Sequence, residues 1–197
     1  MKKASILLVM FLSLGIMLQA QQQTSEKSPR MKPALLVIDV QNAYLPMVPE
    51  REKEVATYMI NAFIELFRQQ GFPVIRIYHQ DKTGQPATGT EAFEFPATFL
   101  VKDTDAKVVK NYGDAFNKTD LDKILKEKGC NTLFLCGLSS VGCVLATYNG
   151  ASNYDYNAFY LKDAVMSHDS EYTKNIQEIV GALQYDVVKL MLQNSEK

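Results

Sequence analysis

The sequence has few of the residues that build metal centres, and its charges are nearly balanced. Its 197 residues include two histidines and three cysteines, and the formal net charge is −1. Nucleic-acid binding needs a basic face, so we expect no nucleic-acid partner. His79 and Asp81 are close in sequence but supply only two metal ligands, whereas a catalytic metal site usually takes three from the protein. We therefore expect no metal.

Long hydrophobic runs are scarce, and the most extended one lies at the N-terminus. Two lysines precede an apolar stretch, Ile6–Leu18, and Ala20 follows it. The stretch is short for a membrane span, which needs about 20 residues, but it is typical of a secretory signal peptide. We predict that residues 1–20 are such a peptide and that the protein is exported, either to the periplasm or to the medium. An uncleaved N-terminal anchor is the alternative. Residues 21–32 then form a polar leader, and we expect no membrane association after cleavage.

The cysteine count is odd, so at least one thiol stays unpaired. Cys130 and Cys136 flank one predicted strand, and six extended residues span roughly 20 Å. That distance is beyond the reach of a disulfide, so these two cannot bridge each other within one copy. Paired cysteines of exported proteins tend to form disulfides. A thiol that stays free in an exported protein is therefore expected to be buried or used in chemistry.

Predicted strands and helices alternate along most of the chain. The strands are near-continuous apolar runs, as expected for a mainly parallel sheet covered on both faces, so the fold class is α/β. Residues 82–105 between them are predicted to form a long loop. The predicted strands are 33–41, 72–81, 106–110, 131–137, 156–163 and 186–192. The predicted helices are 50–71, 118–129, 142–154 and 170–184.

Reactive side chains follow four of these strands. Asp39 ends the first strand, His79 the second and Lys110 the third, and Cys143 comes just after the fourth. Ligands of parallel sheets bind outside the carboxyl ends of the strands, so we expect these groups to meet at one edge. A thiol, an acid–base partner and a cation together favour nucleophilic catalysis.

Four segments carry a resemblance to a known family. They are ALLVIDVQNAYLP, VVKNYGDAFNKTDLDKIL, LFLCGLSSVGCVLATYNGA and, more weakly, LKDAVMS. They span residues 34–167, and together they resemble the isochorismatase-like cysteine hydrolases. The resemblance implies a Rossmann-like three-layer sandwich with a mainly parallel six-stranded sheet, in a domain of residues 33–194. It also implies a catalytic triad of Asp39, Lys110 and Cys143.

The chemistry of these side chains agrees with the resemblance. Cys143 lies at a predicted helix N-terminus, where backbone N–H groups favour a thiolate, and Lys110 should lower the thiol pKa further. Asp39 can take the thiol proton, pass it to a leaving amine and later activate water. The resemblance further implies a cis peptide bond between Leu138 and Ser139, and an oxyanion hole formed by the N–H groups of Ser139 and Cys143.

The resemblance points to hydrolysis of a C–N bond in a small amide, carbamoyl or ureido compound through a Cys143 thioester. True isochorismatases do not depend on a cysteine, so Cys143 favours C–N hydrolysis over vinyl-ether hydrolysis. Two alternatives stay open. One is an exported, non-catalytic small-molecule-binding protein that keeps the fold. The other is a nicotinamidase-type amidase with an atypical metal site.

The expected substrate pocket is aromatic, which fits a small planar amide or ureide. We expect no cofactor, and we expect the protein to form a homo-oligomer. The predicted substrate-binding residues are Tyr44, His79, Phe116 and Leu138, and Phe93, Phe95 and Tyr148 are further candidates for the lining.

Overall fold

The centre of the protein is a sheet of five parallel strands. The computed structural model describes residues 30–196, and the predicted signal peptide and most of the polar leader lie outside these residues. The strands stand in the order β3-β2-β1-β4-β5. They are β1 (Pro33–Ile38), β2 (Val74–His79), β3 (Ala106–Lys110), β4 (Thr132–Leu138) and β5 (Asn157–Met166).

The central strand is buried on both faces. Leu36 of β1 lies beside Ile75 of β2 and Leu135 of β4, and all six residues of β1 are buried or nearly so. Side chains alternate between the two faces of a strand, so Leu35 packs into one hydrophobic core and Leu36 into the other.

Helices cover each face and complete a three-layer α/β sandwich. One layer holds α1 and α5, and the other holds α2, α3 and α4. The helices are α1 (Glu50–Gln70), α2 (Leu121–Glu127), α3 (Cys143–Ser152), α4 (Ser170–Ile179) and α5 (Tyr185–Gln193), and a short 3₁₀ helix spans Leu45–Met47.

Two predicted helix ends are present. Gly71 follows α1 in the left-handed conformation (φ 80°), which glycine adopts without steric cost. Asp169 precedes α4, and its side chain accepts a hydrogen bond from the Glu171 N–H at 2.8 Å.

The predicted sixth strand is wrong, because residues 186–192 belong to α5. Val188 and Leu192 are one helical turn apart and both are buried, whereas Val187 and Leu190 are exposed. This spacing buries one face of a helix, and a strand would have buried every second residue. Pairing with the outer edge of β5 is limited here to an isolated bridge between Leu161 and Leu183.

The predicted long loop is present, since residues 82–105 contain no helix or strand. Stacked rings hold its middle, with Tyr78 of β2 lying 5.0 Å from Phe93 and 4.2 Å from Phe95 between centroids. Its far end is held by Arg76, which donates to the carbonyls of Asp103 and Asp105 at 3.1 and 3.0 Å. Within residues 30–196, no helix combines the length and the apolar character needed to cross a membrane.

Candidate active site

The carboxyl ends of the strands bring the four predicted reactive residues together. His79 and Lys110 are paired neighbours at the ends of β2 and β3. Asp39 directly follows β1, and Cys143 begins α3 after the turn that leaves β4. Four stretches of chain far apart in sequence therefore supply one site, as the strand order requires.

Lys110 is the most enclosed member of the site. It has no exposed surface, and its Nζ lies 2.7 Å from Asp39 Oδ2, 3.3 Å from His79 Nδ1 and 3.2 Å from the Tyr112 carbonyl oxygen. An ammonium group has three N–H donors and no acceptor, so all three donors are used. It follows that His79 Nδ1 accepts a hydrogen bond and that the proton of a neutral His79 sits on Nε2.

The titration of the neighbouring groups agrees with this arrangement. Burial and the Lys110 ammonium lower the pKa of His79, which keeps the imidazole neutral at pH 7. Burial raises the pKa of the Asp39 carboxyl, and Lys110 opposes that rise. Asp39 Oδ1 is buried and has no hydrogen-bond partner among residues 30–196, so this oxygen can receive a proton.

The Cys143 thiol lies next to Asp39 and His79. Its Sγ lies within 4.8 Å of a carboxylate oxygen of Asp39 and of a ring nitrogen of His79. Burial and the Asp39 carboxylate raise the pKa of Cys143 to about 11, and the lowering effect of Lys110 is smaller. The expectation of a depressed thiol pKa is therefore wrong, because the thiol has lost water and lies beside the Asp39 carboxylate.

Among the residues that the structure describes, the turn between β4 and α3 leaves backbone N–H donors without a partner beside the thiol. The Leu138–Ser139 peptide bond is cis, as the resemblance implies. The N–H groups of Ser140, Gly142 and Val144 donate to backbone carbonyls, but those of Ser139 and Cys143 donate to none within residues 30–196. Two unengaged N–H groups beside the thiol are the donors that a developing oxyanion needs.

A small pocket opens onto the thiol, with a volume of about 160 Å³. Tyr44 and Leu138, two of the predicted substrate-binding residues, line it, and so does His79, whose ring centroid lies 6.0 Å from that of Tyr44. Burial raises the pKa of Tyr44 to about 12, so its phenol is neutral. The complete lining is Asp39, Tyr44, Met47, His79, Leu138, Ser139 and Cys143.

Comparison with known proteins identifies the family. A family model described as the isochorismatase domain matches residues 33–183. The chain belongs to the isochorismatase family. An uncharacterized isochorismatase family protein of Bacillus subtilis, YddQ, is 31% identical over 144 residues, which are 68% of this chain and 77% of YddQ.

Two further relatives bear on activity. A protein of Arabidopsis thaliana named as a probable inactive nicotinamidase is 28% identical over 171 residues, covering 74% of this chain and 87% of its own. The crystal structure of N-carbamoylsarcosine amidase from Thermoplasma acidophilum superposes with a TM-score of 0.67 at 26% identity, covering 78% of this chain and 95% of the amidase. The protein thus has the fold of an isochorismatase-family hydrolase.

Several predicted pocket residues lie elsewhere in this isochorismatase-family domain. Phe116 does not line the pocket, contrary to the sequence-based expectation, because it is buried in a stack with Tyr154 and Tyr156 at centroid distances of 4.8 and 5.6 Å. Tyr148 packs edge-on against Tyr160 at 5.3 Å. Phe93 and Phe95 hold the long loop against Tyr78. These rings serve the core because burying them removes a large apolar area from water.

Sequence reasoning missed Met47 in the pocket wall. It belongs to the 3₁₀ helix and is 51% exposed, so it stands at the mouth. The segment that carries Tyr44 runs directly on to Met47, and this proximity was the available signal.

The other two cysteines are buried and free. Cys136 is fully buried, and its Sγ lies 3.4 Å from the Leu36 carbonyl oxygen, so it packs as a small apolar residue within the sheet. Burial raises the pKa of Cys136 and brings that of Cys130 to about 11.

One triangle of side chains has the spacing of a metal site. Asp39, His79 and Cys143 offer ligand atoms within 4.8 Å of one another. The Lys110 ammonium is hydrogen-bonded to two of them, and a positive charge at that position opposes a second cation. Metal independence stays a prediction.

Proposed function

We propose that the protein is an exported cysteine hydrolase that cleaves the C–N bond of a small amide, carbamoyl or ureido compound through a Cys143 thioester. The observation that carries this proposal is that Asp39 and Cys143 line one small pocket while the buried Lys110 is hydrogen-bonded to Asp39 behind it. Membership of the isochorismatase family and likeness to an N-carbamoylsarcosine amidase support the reaction class.

In the first half-reaction, Asp39 Oδ1 takes the proton of the Cys143 thiol as the sulfur attacks the substrate carbonyl carbon. The N–H groups of Ser139 and Cys143 stabilise the oxyanion that forms. The C–N bond then breaks, and the leaving ammonia or amine takes the proton from Asp39. The products are a thioester on Cys143 and the free amine.

In the second half-reaction, Asp39 takes a proton from water, and the resulting hydroxide attacks the thioester carbonyl. The C–S bond breaks, and the departing Cys143 thiolate recovers the proton from Asp39. The acid product leaves, and the free thiol is restored. Because the resting thiol has a raised pKa, attack requires transfer of its proton to Asp39 in the same step.

Lys110 supports both halves without forming a bond to substrate. Its charge stabilises the ionised form of Asp39 and opposes the rise in pKa that burial causes. Its hydrogen bond to His79 Nδ1 holds the imidazole neutral, with an Nε2–H donor on a side chain that lines the pocket.

The main alternative is an exported small-molecule-binding protein that keeps the fold without turnover. Likeness to a relative named as a probable inactive nicotinamidase favours it. A nicotinamidase-type amidase that binds metal through the Asp39, His79 and Cys143 triangle is a further candidate.

A pair of cysteine variants tests the proposal. A panel of small amides and ureido compounds is screened for ammonia or amine release with the unmodified chain, Cys143→Ala and Cys136→Ala. Turnover should be lost in Cys143→Ala, because no thioester can form, and retained in Cys136→Ala. Mass spectrometry of quenched reactions should detect an acyl adduct on Cys143. Unchanged turnover in Cys143→Ala, or no turnover of any panel member by the unmodified chain, contradicts the proposal.

A further inference from the structure

A buried polar residue lies in the turn between β4 and α3, and each of its polar atoms takes part in a hydrogen bond. Ser140 has no exposed surface. Its N–H donates to the Met166 carbonyl at 2.8 Å, its carbonyl accepts from the Tyr160 hydroxyl at 2.8 Å, and its Oγ lies 3.0 Å from Thr173 Oγ1. Ser140 adjoins Ser139, which lines the pocket beside the thiol, so contacts that fix Ser140 also restrict the backbone of Ser139.

The contact with Thr173 continues to a carboxylate on another helix. Thr173 Oγ1 of α4 lies 2.6 Å from Glu52 Oε1 of α1 and 3.0 Å from Ser167 Oγ. The same Glu52 oxygen accepts from the Ser167 N–H at 2.8 Å. One carboxylate oxygen therefore joins α1, the end of β5 and α4 in one hydrogen-bonded group.

Counting protons gives the direction of each bond. A carboxylate oxygen only accepts, so Thr173 donates its single proton to Glu52. Ser167 Oγ donates to the Asp169 carbonyl at 2.7 Å. With both of these protons used, the 3.0 Å contact between Thr173 and Ser167 has no donor. The 3.0 Å contact between Ser140 and Thr173 takes its proton from the Ser140 hydroxyl, so the chain runs from Ser140 through Thr173 to Glu52. A hydrogen bond that ends on a carboxylate is stronger than a neutral one, and it polarises the bond before it.

We propose that Thr173 is a positioning residue that, backed by Glu52, holds Ser140 and so aims the Ser139 N–H at the oxyanion. The inference rests on the proposed function and adds a residue outside the pocket to it. Removing an oxyanion donor outright costs about 10²–10³-fold in rate. A donor that is displaced should cost less, on the order of 10-fold.

The test compares two reagents at the same thiol. Acylation of Cys143 by p-nitrophenyl acetate passes through an oxyanion, whereas alkylation by iodoacetamide does not. Thr173→Val should slow acylation about 10-fold and leave alkylation unchanged. Thr173→Ser keeps the hydroxyl and should restore acylation. Thr132→Val, which alters a buried threonine at the opposite end of β4, should change neither rate.

Glu52→Gln is a second variant that keeps the shape and removes the charge, and it should slow acylation by about threefold. It carries the test if Thr173→Val does not fold. Equal slowing of both reagents, or slowing of neither, overturns the positioning role. No acylation of Cys143 in the unmodified chain overturns the proposed function, and the positioning role falls with it.

Discussion

At the scale of single residues, the Lys110 ammonium group already makes three hydrogen bonds within the protein before substrate binds. Its three donors are held by Asp39, His79 and the Tyr112 carbonyl, and it lowers the pKa of the nearby thiol by less than burial raises it. Asp39 is the group that benefits, since a buried carboxylate depends on a paired charge. The site therefore places the Asp39 carboxylate, which can act as a base, beside a Cys143 thiol that stays protonated in the free protein.

The raised pKa of Cys143 predicts slow alkylation of the free protein. With a pKa of about 11, about one thiol in a thousand is ionised at pH 8, and only the thiolate reacts. The rate of iodoacetamide labelling should therefore rise steadily from pH 7 to beyond pH 10. Stopped-time mass spectrometry of Cys143, with Cys143→Ala as the background, measures it. A rate that levels off below pH 9 would contradict the assignment.

Replacing Lys110 should move the pH–activity profile. Lys110 lowers the pKa of Asp39 against the effect of burial, so Lys110→Met should raise that pKa further. Asp39 acts as a base only when ionised, and the acidic limb of kcat/KM should shift to higher pH while the maximum falls. Lys107→Met, on the same strand but paired with the half-buried Glu94, is the control and should leave the limb in place. An unshifted limb in Lys110→Met would exclude this role.

At the scale of elements, the turn after β4 demands a particular backbone. Gly137 has a φ of 115°, and a Cβ there would collide with the backbone of Ile38 on the neighbouring strand. Glycine alone combines this conformation with such a close approach. Gly137 is followed by Leu138 and Ser139, which line the pocket, so the position of these two residues depends on the close approach of Gly137 to Ile38.

A pair of glycine variants tests this requirement. Gly137→Ala should lower the free energy of unfolding by at least about 3 kcal/mol, because both the φ angle and the space forbid a side chain. Gly84→Ala should cost only about 1 kcal/mol, since Gly84 has a similar φ of 83° but nothing within 4 Å of the added Cβ. Urea unfolding measures both. Equal losses in the two variants would show that the close approach to Ile38 carries no energy.

At the scale of the whole molecule, one edge of the sheet collects the chemistry while both faces build the cores. The pocket, the triad and the two unengaged N–H groups all lie at the carboxyl ends of the strands. Substitutions of the side chains that line the pocket should therefore affect activity more than stability. Changes on the faces of the sheet should do the reverse.

Export is the prediction that concerns the complete chain. In its native host, the protein should be recovered outside the cytosol. Its intact mass should correspond to a chain that begins at Gln21 or a few residues later. Leu8→Arg interrupts the apolar stretch and should leave a full-length chain in the cytosol. Recovery of the unmodified chain in the cytosol with residues 1–20 attached would refute the prediction.

Local pattern was enough to predict most elements and the meeting of four reactive side chains at one edge of the sheet. Apolar runs that end in Asp39, His79 and Lys110 predicted strands whose ends meet, because parallel strands leave their carboxyl ends at one edge. The two cysteines of β4 and α3 were also separated correctly by position, with Cys136 inside the sheet and Cys143 at the start of the helix.

The misses share a physical cause, which is that burial and pairing join residues far apart in sequence. The apolar run 186–192 suits a strand or a helix, and packing of Val188 and Leu192 against the core decided for the helix. Phe116 stacks with Tyr154 and Tyr156, which come about 40 residues later in the chain, and therefore does not line the pocket. The thiol pKa is raised because folding buries the thiol and places it beside the Asp39 carboxylate. The link from Ser140 through Thr173 to Glu52 crosses three elements, so only the folded chain could reveal it.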